Sequence, residues 1–296
     1  FHFIVVSLLL FAGCFFNIIH DLNEATNYDS IVQLLIQNTM FLLFFLLLSF
    51  IIKKNRLTQS NSYALFLFCC FILMIPYLFK DSNLAFSFFF LLLALRRILS
   101  ISSQKNSEKK ILDASIWITI AALFYFWSIL FFIILFIAII QLASTNYKLI
   151  FIPFVGFTSV FILTSAYHTI INNGVWRFLE YKDQISFDFS SYYSLKIIIP
   201  SIFILLSGIF AFIYKSITIS KTPLKEKSKH WILFFFLLIG IILIVLKNNK
   251  NGGELLILLA PISVFTANFI ESIDKKWISE LFLWFVLMLP FALFFL

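Results

Sequence analysis

ILDASIWITIAALFYFWSILFFIILFIAIIQLA, residues 111–143, is a run of 33 residues carrying one charge, Asp113. As a single helix it would be about 50 Å long at about 1.5 Å per residue. The hydrocarbon core of a bilayer is only about 30 Å thick. The run therefore reads as two spans, 111–127 and 128–143, folded into a tight hairpin at Trp127-Ser128. Every later span inverts its direction if this one stretch is left undivided.

The same reading extends in both directions. Apolar stretches of span length lie near 3–19, 31–52, 63–79 and 84–100 before the hairpin. After it they lie near 149–167, 194–214, 231–247, 254–270 and 277–296. Backbone groups in hydrocarbon must be paired within their own segment, which selects helices or closed barrels. A barrel strand alternates apolar and polar residues. Continuous runs such as Phe41–Ile52 do not. The expectation is an all-α, polytopic transmembrane bundle of about eleven spans, forming one domain over residues 1–296.

Composition agrees. Of the 296 residues, 62% are hydrophobic and 12% charged, and 42 are Phe. A water-soluble domain is about 45–50% apolar and about 25% charged, and folded surfaces in water need polar cover. A formal net charge of +8 would point to nucleic acid in a soluble protein, but here the basic residues sit in short connections between apolar runs. They read as anchors to anionic headgroups, with no nucleic-acid partner. Cys14, Cys69 and Cys70 all lie within apolar runs, without zinc-type spacing, and read as small buried hydrophobes. The chain begins at Phe1. Phe11-Ala12-Gly13-Cys14 resembles a lipobox, yet Phe15, Phe16, Ile18 and Ile19 continue the apolar run, so 3–19 reads as a first membrane helix.

Charge sets the expected orientation. With a cytoplasmic N-terminus, only Lys80, Arg177, Lys182, Lys196, Lys247 and Lys250 fall on the outer side, and the remaining sixteen Lys and Arg on the inner side. That bias follows the positive-inside rule for a cytoplasmic (inner) membrane. Two connections are long: the aromatic outer loop 167–194 and the basic cytoplasmic loop 215–230. Asn173-Gly174 is expected to open a short helix laying Val175, Trp176 and Leu179 on the membrane surface. Pro76, Pro153, Pro200, Pro261 and Pro290 fall within spans and shape their helices.

Chemistry, if present, concentrates on the outer face. Asp21, Glu24 and Asp29 follow the first span, Asp81 lies in the next outer turn, and Glu180, Asp183 and Asp188 lie in the long loop. Glu254 opens the tenth span after Asn251-Gly252-Gly253. A carboxylate there can take a proton from an acceptor hydroxyl or bind a divalent metal; solvated loop acids would look the same. Within the spans, Asn17, Gln33, Gln37, Asn38, Gln141 and Asn268 read as interhelical hydrogen-bonders. No charge stands at mid-membrane, which argues against an ion-coupled pump. His2, His20, His168 and His230 divide between the faces, so they make no four-His iron site. Nucleotide-binding and protease motifs (Walker A, the dinucleotide glycine motif, H-E-x-x-H and G-x-S-x-G) are absent.

Two stretches carry a resemblance. Phe88–Arg97, Lys110-Ile111-Leu112-Asp113-Ala114 and Phe124-Tyr125-Phe126-Trp127 form one. Gly253–Leu256, Ala260-Pro261 and Ala267–Glu271 form the other. Together they resemble an uncharacterised family of polytopic inner-membrane proteins from Bacteroidota, whose members often carry the label β-carotene monooxygenase. The layout is also similar to that of the GT-C glycosyltransferases, which use polyprenyl-phosphate sugars, although it has neither their paired-acid motif nor a large C-terminal domain. That likeness implies a general base or metal ligand among Asp21, Glu24 and Asp29. It also implies neutralisation of a lipid phosphate by Arg177, Lys182, Lys247 or Lys250. Against this enzyme reading stand a non-enzymatic membrane subunit of an envelope assembly or export complex and, third, a transporter.

Overall fold

A computed structural model describes residues 28–59, 61–75, 78, 81–142, 147–172, 185–219 and 224–294. Among these residues there are ten α-helices and no strand. They are α1 (Tyr28–Asn55), α2 (Tyr63–Leu73), α3 (Ser82–Ser100), α4 (Ser107–Phe124), α5 (Phe132–Leu142), α6 (Ile152–Asn172), α7 (Leu195–Thr218), α8 (Leu224–Leu246), α9 (Leu256–Glu271) and α10 (Lys276–Phe294). A helix stands at each expected segment from residue 31 onward. Six helical stretches are long and apolar enough to cross a membrane: Ser82–Ser103, Lys148–Ile171, Leu195–Thr218, Glu226–Leu246, Gly253–Glu271 and Lys276–Leu293. The expected segment 3–19 and the surface helix expected from Asn173-Gly174 lie outside the described residues.

The long run 111–143 is broken, two residues before the expected point. Tyr125 is extended (φ −140, ψ 106), and a 3₁₀ turn, Phe126–Phe131, leads into α5. Two other boundaries differ from the sequence reading. Helix α2 stops at Leu73 rather than 79, short of Pro76, whose ring disfavours helical backbone in the residue before it. The second half of the basic loop 215–230 is helical, because α8 begins at Leu224. Pro223 immediately precedes that start, and the Leu-Lys-Glu-Lys that follows is made of good helix formers.

The chain divides into two compact units, each built from separate segments. The first comprises residues up to Ser82, Phe189–Thr222 and Lys250 onward. Its centre is α9, where every residue from Gly252 to Ala267 is buried. A helix apolar all round belongs in the middle of a bundle. Helix α7 runs parallel to it. Gly208 lies against Ile262, Phe212 meets Phe265 at 6.2 Å, and Lys215 donates to Asn268 at 3.1 Å. Helix α2 runs the other way, with Leu57 before it beside Asn268 and Ile75 after it beside Gly252. Helix α1 ends because Arg56 turns left-handed (φ 52) and Leu57 N–H reaches back to the Ile52 carbonyl at 3.2 Å. That pattern satisfies a terminal carbonyl.

The second unit comprises Asn83–Asp188 and Pro223–Asn249. Helices α3 and α4 form an antiparallel hairpin. Arg97 pairs with Asp113 at 2.9 Å at one end. Phe124 stacks on Phe86 and Phe90 at the other. Helix α6 packs closely on α4, with Gly156 directly over Ser115. Helices α5 and α6 are antiparallel, as Phe132–Phe157 and Phe136–Phe154 contacts require. Helix α8 is antiparallel to α5, with Phe131 on Phe236 at 4.6 Å and the Tyr125 hydroxyl donating to the Leu243 carbonyl at 3.3 Å. Much of α6 and α10 is left uncovered: Leu163, Ile170, Leu281 and Trp284 are all exposed. Apolar faces of that extent are unsuited to water.

Candidate functional site

The most concentrated polar chemistry in the first unit lies where α9 begins. Asn251-Gly252-Gly253 makes the turn. Gly252 has φ +84, a left-handed conformation that strains any residue with a Cβ, and a Cβ there would also press on the Ile197 side chain at 3.1 Å. The Asn251 side-chain oxygen accepts from Gly253 N–H at 3.1 Å, and Leu255 N–H bonds the Gly252 carbonyl at 3.2 Å. This turn brings Glu254 into the 3₁₀ turn Gly253–Leu255, directly before α9. A carboxylate complements the positive end of a helix dipole.

Glu254 is only 1% exposed and Lys250 only 4%. Buried charges are costly unless compensated. The partners come from another part of the chain, the turn Ser190–Tyr193. The Tyr192 hydroxyl donates to Glu254 Oε1 at 2.8 Å, and Asn251 N–H reaches Oε2 at 3.4 Å. The Lys250 ammonium sits 4.5 Å from the centre of the Phe189 ring, within the range of a cation–π interaction. Phe189 and Tyr192 are themselves 6.1 Å apart. Burial, and then the neighbouring Glu254 carboxylate, push the Tyr192 phenol well above the usual tyrosine range, so it stays protonated and donates. The Phe189–Lys250 and Tyr192–Glu254 contacts thus fasten residues 189–192 to residues 250–254.

The other end of α9 carries a second polar knot. Gln59 N–H lies 3.2 and 3.1 Å from the two Glu271 oxygens. The Asn268 amide donates to the Leu57 carbonyl at 3.1 Å and to the Val264 carbonyl at 2.8 Å, while its oxygen accepts from Lys215. This knot closes backbone groups at the α1–α2 connection, a structural task. Asn268, expected as an interhelical hydrogen-bonder, has that role.

Asp21, Glu24, Arg177 and Lys182 lie outside the described residues. Asp29 stands in the first turn of α1, and its side chain is likewise outside the described set. Lys247 is buried just past the end of α8, in the second unit. Lys250 belongs to the cluster at the start of α9. Among the described residues, no group of three or more His, Cys, Asp or Glu is placed to hold a metal ion. Sequence reasoning singled out Glu254 only as one outer acid among several, and Tyr192 only as one aromatic of a long loop. The available signal was an acid directly after Asn-Gly-Gly and directly before sixteen residues without a charge.

Neither the curated proteins nor the solved structures include a match to this sequence. One family model covers the chain almost end to end, over residues 2–296, and by that match the protein belongs to the family of unknown function DUF6427.

Proposed function

We propose that this protein is a polytopic inner-membrane protein of about eleven spans with a cytoplasmic N-terminus. We further propose that it acts at the outer face in surface-glycan assembly, as a GT-C-like glycosyltransferase using a polyprenyl-phosphate-linked sugar. The observation that carries the placement is the alternation of helix directions within each unit. The alternation supports the topology because segments assigned to one face by the charge count meet at one end of α9. Phe189–Tyr193 meets 250–254 at its beginning, and Leu57–Gln59 meets Lys215 and Glu271 at its end. Six long apolar helices with exposed apolar faces support immersion in lipid.

The activity is the less direct half of the proposal. An acid among Asp21, Glu24 and Asp29 takes the proton from an acceptor hydroxyl, alone or as ligand of a divalent metal. The acceptor oxygen then bonds the anomeric carbon, and the polyprenyl phosphate leaves. Arg177, Lys182, Lys247 or Lys250 neutralises that phosphate. A second reading is a non-enzymatic membrane subunit of an envelope assembly or export complex. It is favoured by the burial of Glu254 and Lys250 in internal contacts.

The deciding experiment is a deletion strain profiled for surface glycans and lipid-linked sugars. It is complemented with wild type or with a triple variant, Asp21→Ala/Glu24→Ala/Asp29→Ala. A changed profile restored by wild type alone supports the enzyme. Restoration by both supports the subunit. An unchanged profile on deletion removes the glycan role altogether.

A further inference from the structure

We infer that Phe189–Tyr193 is a latch that covers Lys250, and that its release is the step that presents the Lys250 ammonium to an incoming phosphate. The inference rests on the proposed role of Lys250 as a phosphate ligand at the outer face; the covering itself stands on geometry alone.

Three observations carry it. The segment is short and held from one side by two unlike contacts, the Phe189 ring on Lys250 and the Tyr192 hydroxyl on Glu254. Its backbone makes one short turn, in which Tyr192 N–H bonds the Phe189 carbonyl at 2.9 Å and the Ser194 hydroxyl donates to the Ser191 carbonyl at 3.2 Å. Its other surface is open: Tyr193 is 82% exposed, and Leu195 next along the chain is exposed as well. Under the latch, by contrast, the partner turn is enclosed. Gly252 packs against Ile197, and Glu254 lies directly before α9, whose residues from Leu256 to Ala267 are all buried. Motion at this place is therefore expected in 189–193 and not in 250–254. A ring face holds an ammonium less tightly than a phosphate does, since the phosphate adds full charge and hydrogen-bond acceptors. A phosphoanion reaching the site can thus replace Phe189 on Lys250, while Tyr192 sets how often the site opens.

The test reads the reactivity of Lys250 against Lys196. Lys196 lies in the first turn of α7, is exposed, and serves as the internal reference. Right-side-out membrane vesicles are treated briefly with a membrane-impermeant sulfonated succinimidyl ester, and acylation at both lysines is read by mass spectrometry. In wild type, Lys250 is expected to react about tenfold or more slowly than Lys196. Tyr192→Phe deletes one hydrogen bond to a carboxylate and keeps the ring, so the Lys250 rate is expected to rise about tenfold. Phe189→Leu keeps an apolar cover but removes the ring face, and is expected to raise it also. Equal reactivity of the two lysines in wild type overturns the latch. So does a Lys250 rate that neither substitution moves.

A phosphate arm separates ligand sources. Inorganic phosphate and vesicles enriched in an anionic phospholipid are each added to Tyr192→Phe. Protection of Lys250 by the lipid alone assigns the site to a lipid headgroup, and protection by both assigns it to phosphate in general. Protection by neither overturns the presentation step. If Lys196 reacts only after the vesicles are opened with detergent, the outer-face assignment falls. The Lys250-to-Lys196 ratio in opened vesicles then still judges the latch.

Discussion

Replacing Gly156 by Ala should destabilise the protein even though alanine is the better helix former. In an exposed helix the exchange gains about 1 kcal/mol. Here α6 crosses α4 with Gly156 against Ser115. The added Cβ would stand 1.8 Å from Ser115 Oγ, 2.8 Å from Ser115 Cβ and 3.3 Å from the Ile116 backbone nitrogen. The hydroxyl can swing aside, but it then gives up its hydrogen bond to the Leu112 carbonyl, 2.7 Å long, a loss of about 1 kcal/mol. Ser115 Cβ and the Ile116 backbone cannot swing, so the helices must also part. Overpacking of this kind costs about 1–3 kcal/mol. The penalties exceed the propensity gain, leaving a net loss of about 1–3 kcal/mol. Thermal unfolding of the purified protein in detergent, followed by tryptophan fluorescence, should show it. Trp117 lies two residues from Ser115 and stacks on Phe90 at 5.7 Å, so it reports on this helix directly. A fall of several degrees is expected, at about 2–4 °C per kcal/mol. The double variant Gly156→Ala/Ser115→Gly removes both clashing side-chain atoms and should lose less than the two single effects added together. A Gly156→Ala protein as stable as wild type would refute the argument. Strict additivity in the double variant would refute it too, because the loss would then not come from this contact.

Gly208→Ala provides a contrast, since its Cβ would meet only side-chain atoms of Ile262 at 3.0–3.4 Å. That side chain can shift, and the melting temperature should fall less than for Gly156→Ala. Cys69 and Cys70 are both free and fully buried, so in a Cys14→Ser background a maleimide should label neither until the protein is denatured. Labelling of either in the native state would show that α2 is not packed as described. Asn268→Ala removes the donor that satisfies the Leu57 carbonyl and the acceptor used by Lys215. It should cost about 1–3 kcal/mol, read as a lower melting temperature, whereas a neutral result would mean that water replaces the amide. Glu254→Ala strips the half-buried Tyr192 hydroxyl of its acceptor and should cost about 1–3 kcal/mol. Glu254→Gln, which keeps an acceptor oxygen, should retain more stability in the same measurement.

Much of the helical layout is legible in the sequence because its signal is local. A stretch of apolar residues long enough to span hydrocarbon, ended by Lys, Arg, Asn or Pro, specifies a helix without reference to the rest of the chain. The break in 111–143 is legible for a related reason: the run is longer than a bilayer is thick, so it must bend somewhere. The exact bend at Tyr125, the early stop of α2 and the early start of α8 depend on backbone conformation within one or two turns, which hydropathy does not encode. The grouping of helices is not local at all. In a chain apolar on nearly every face, the pattern that tells buried from exposed in a water-soluble helix is missing. Nothing in their hydropathy tells α9, enclosed on all sides, from α10, largely bare.

The candidate site follows the same division. Glu254 stands out in the sequence as an acid at the threshold of an apolar run, and Gly252 as part of a turn. That Tyr192, 62 residues earlier, donates to that acid, and that Phe189 roofs Lys250, are decided only when α7 and α9 pack side by side in parallel. What the sequence determined alone was a set of apolar helical segments and their approximate bounds, because hydrophobicity acts residue by residue. What the tertiary structure alone decided was which polar groups become partners. A buried charge is tolerated only where another segment supplies its hydrogen bond or ring face, and that supplier is chosen by packing rather than by proximity in the chain.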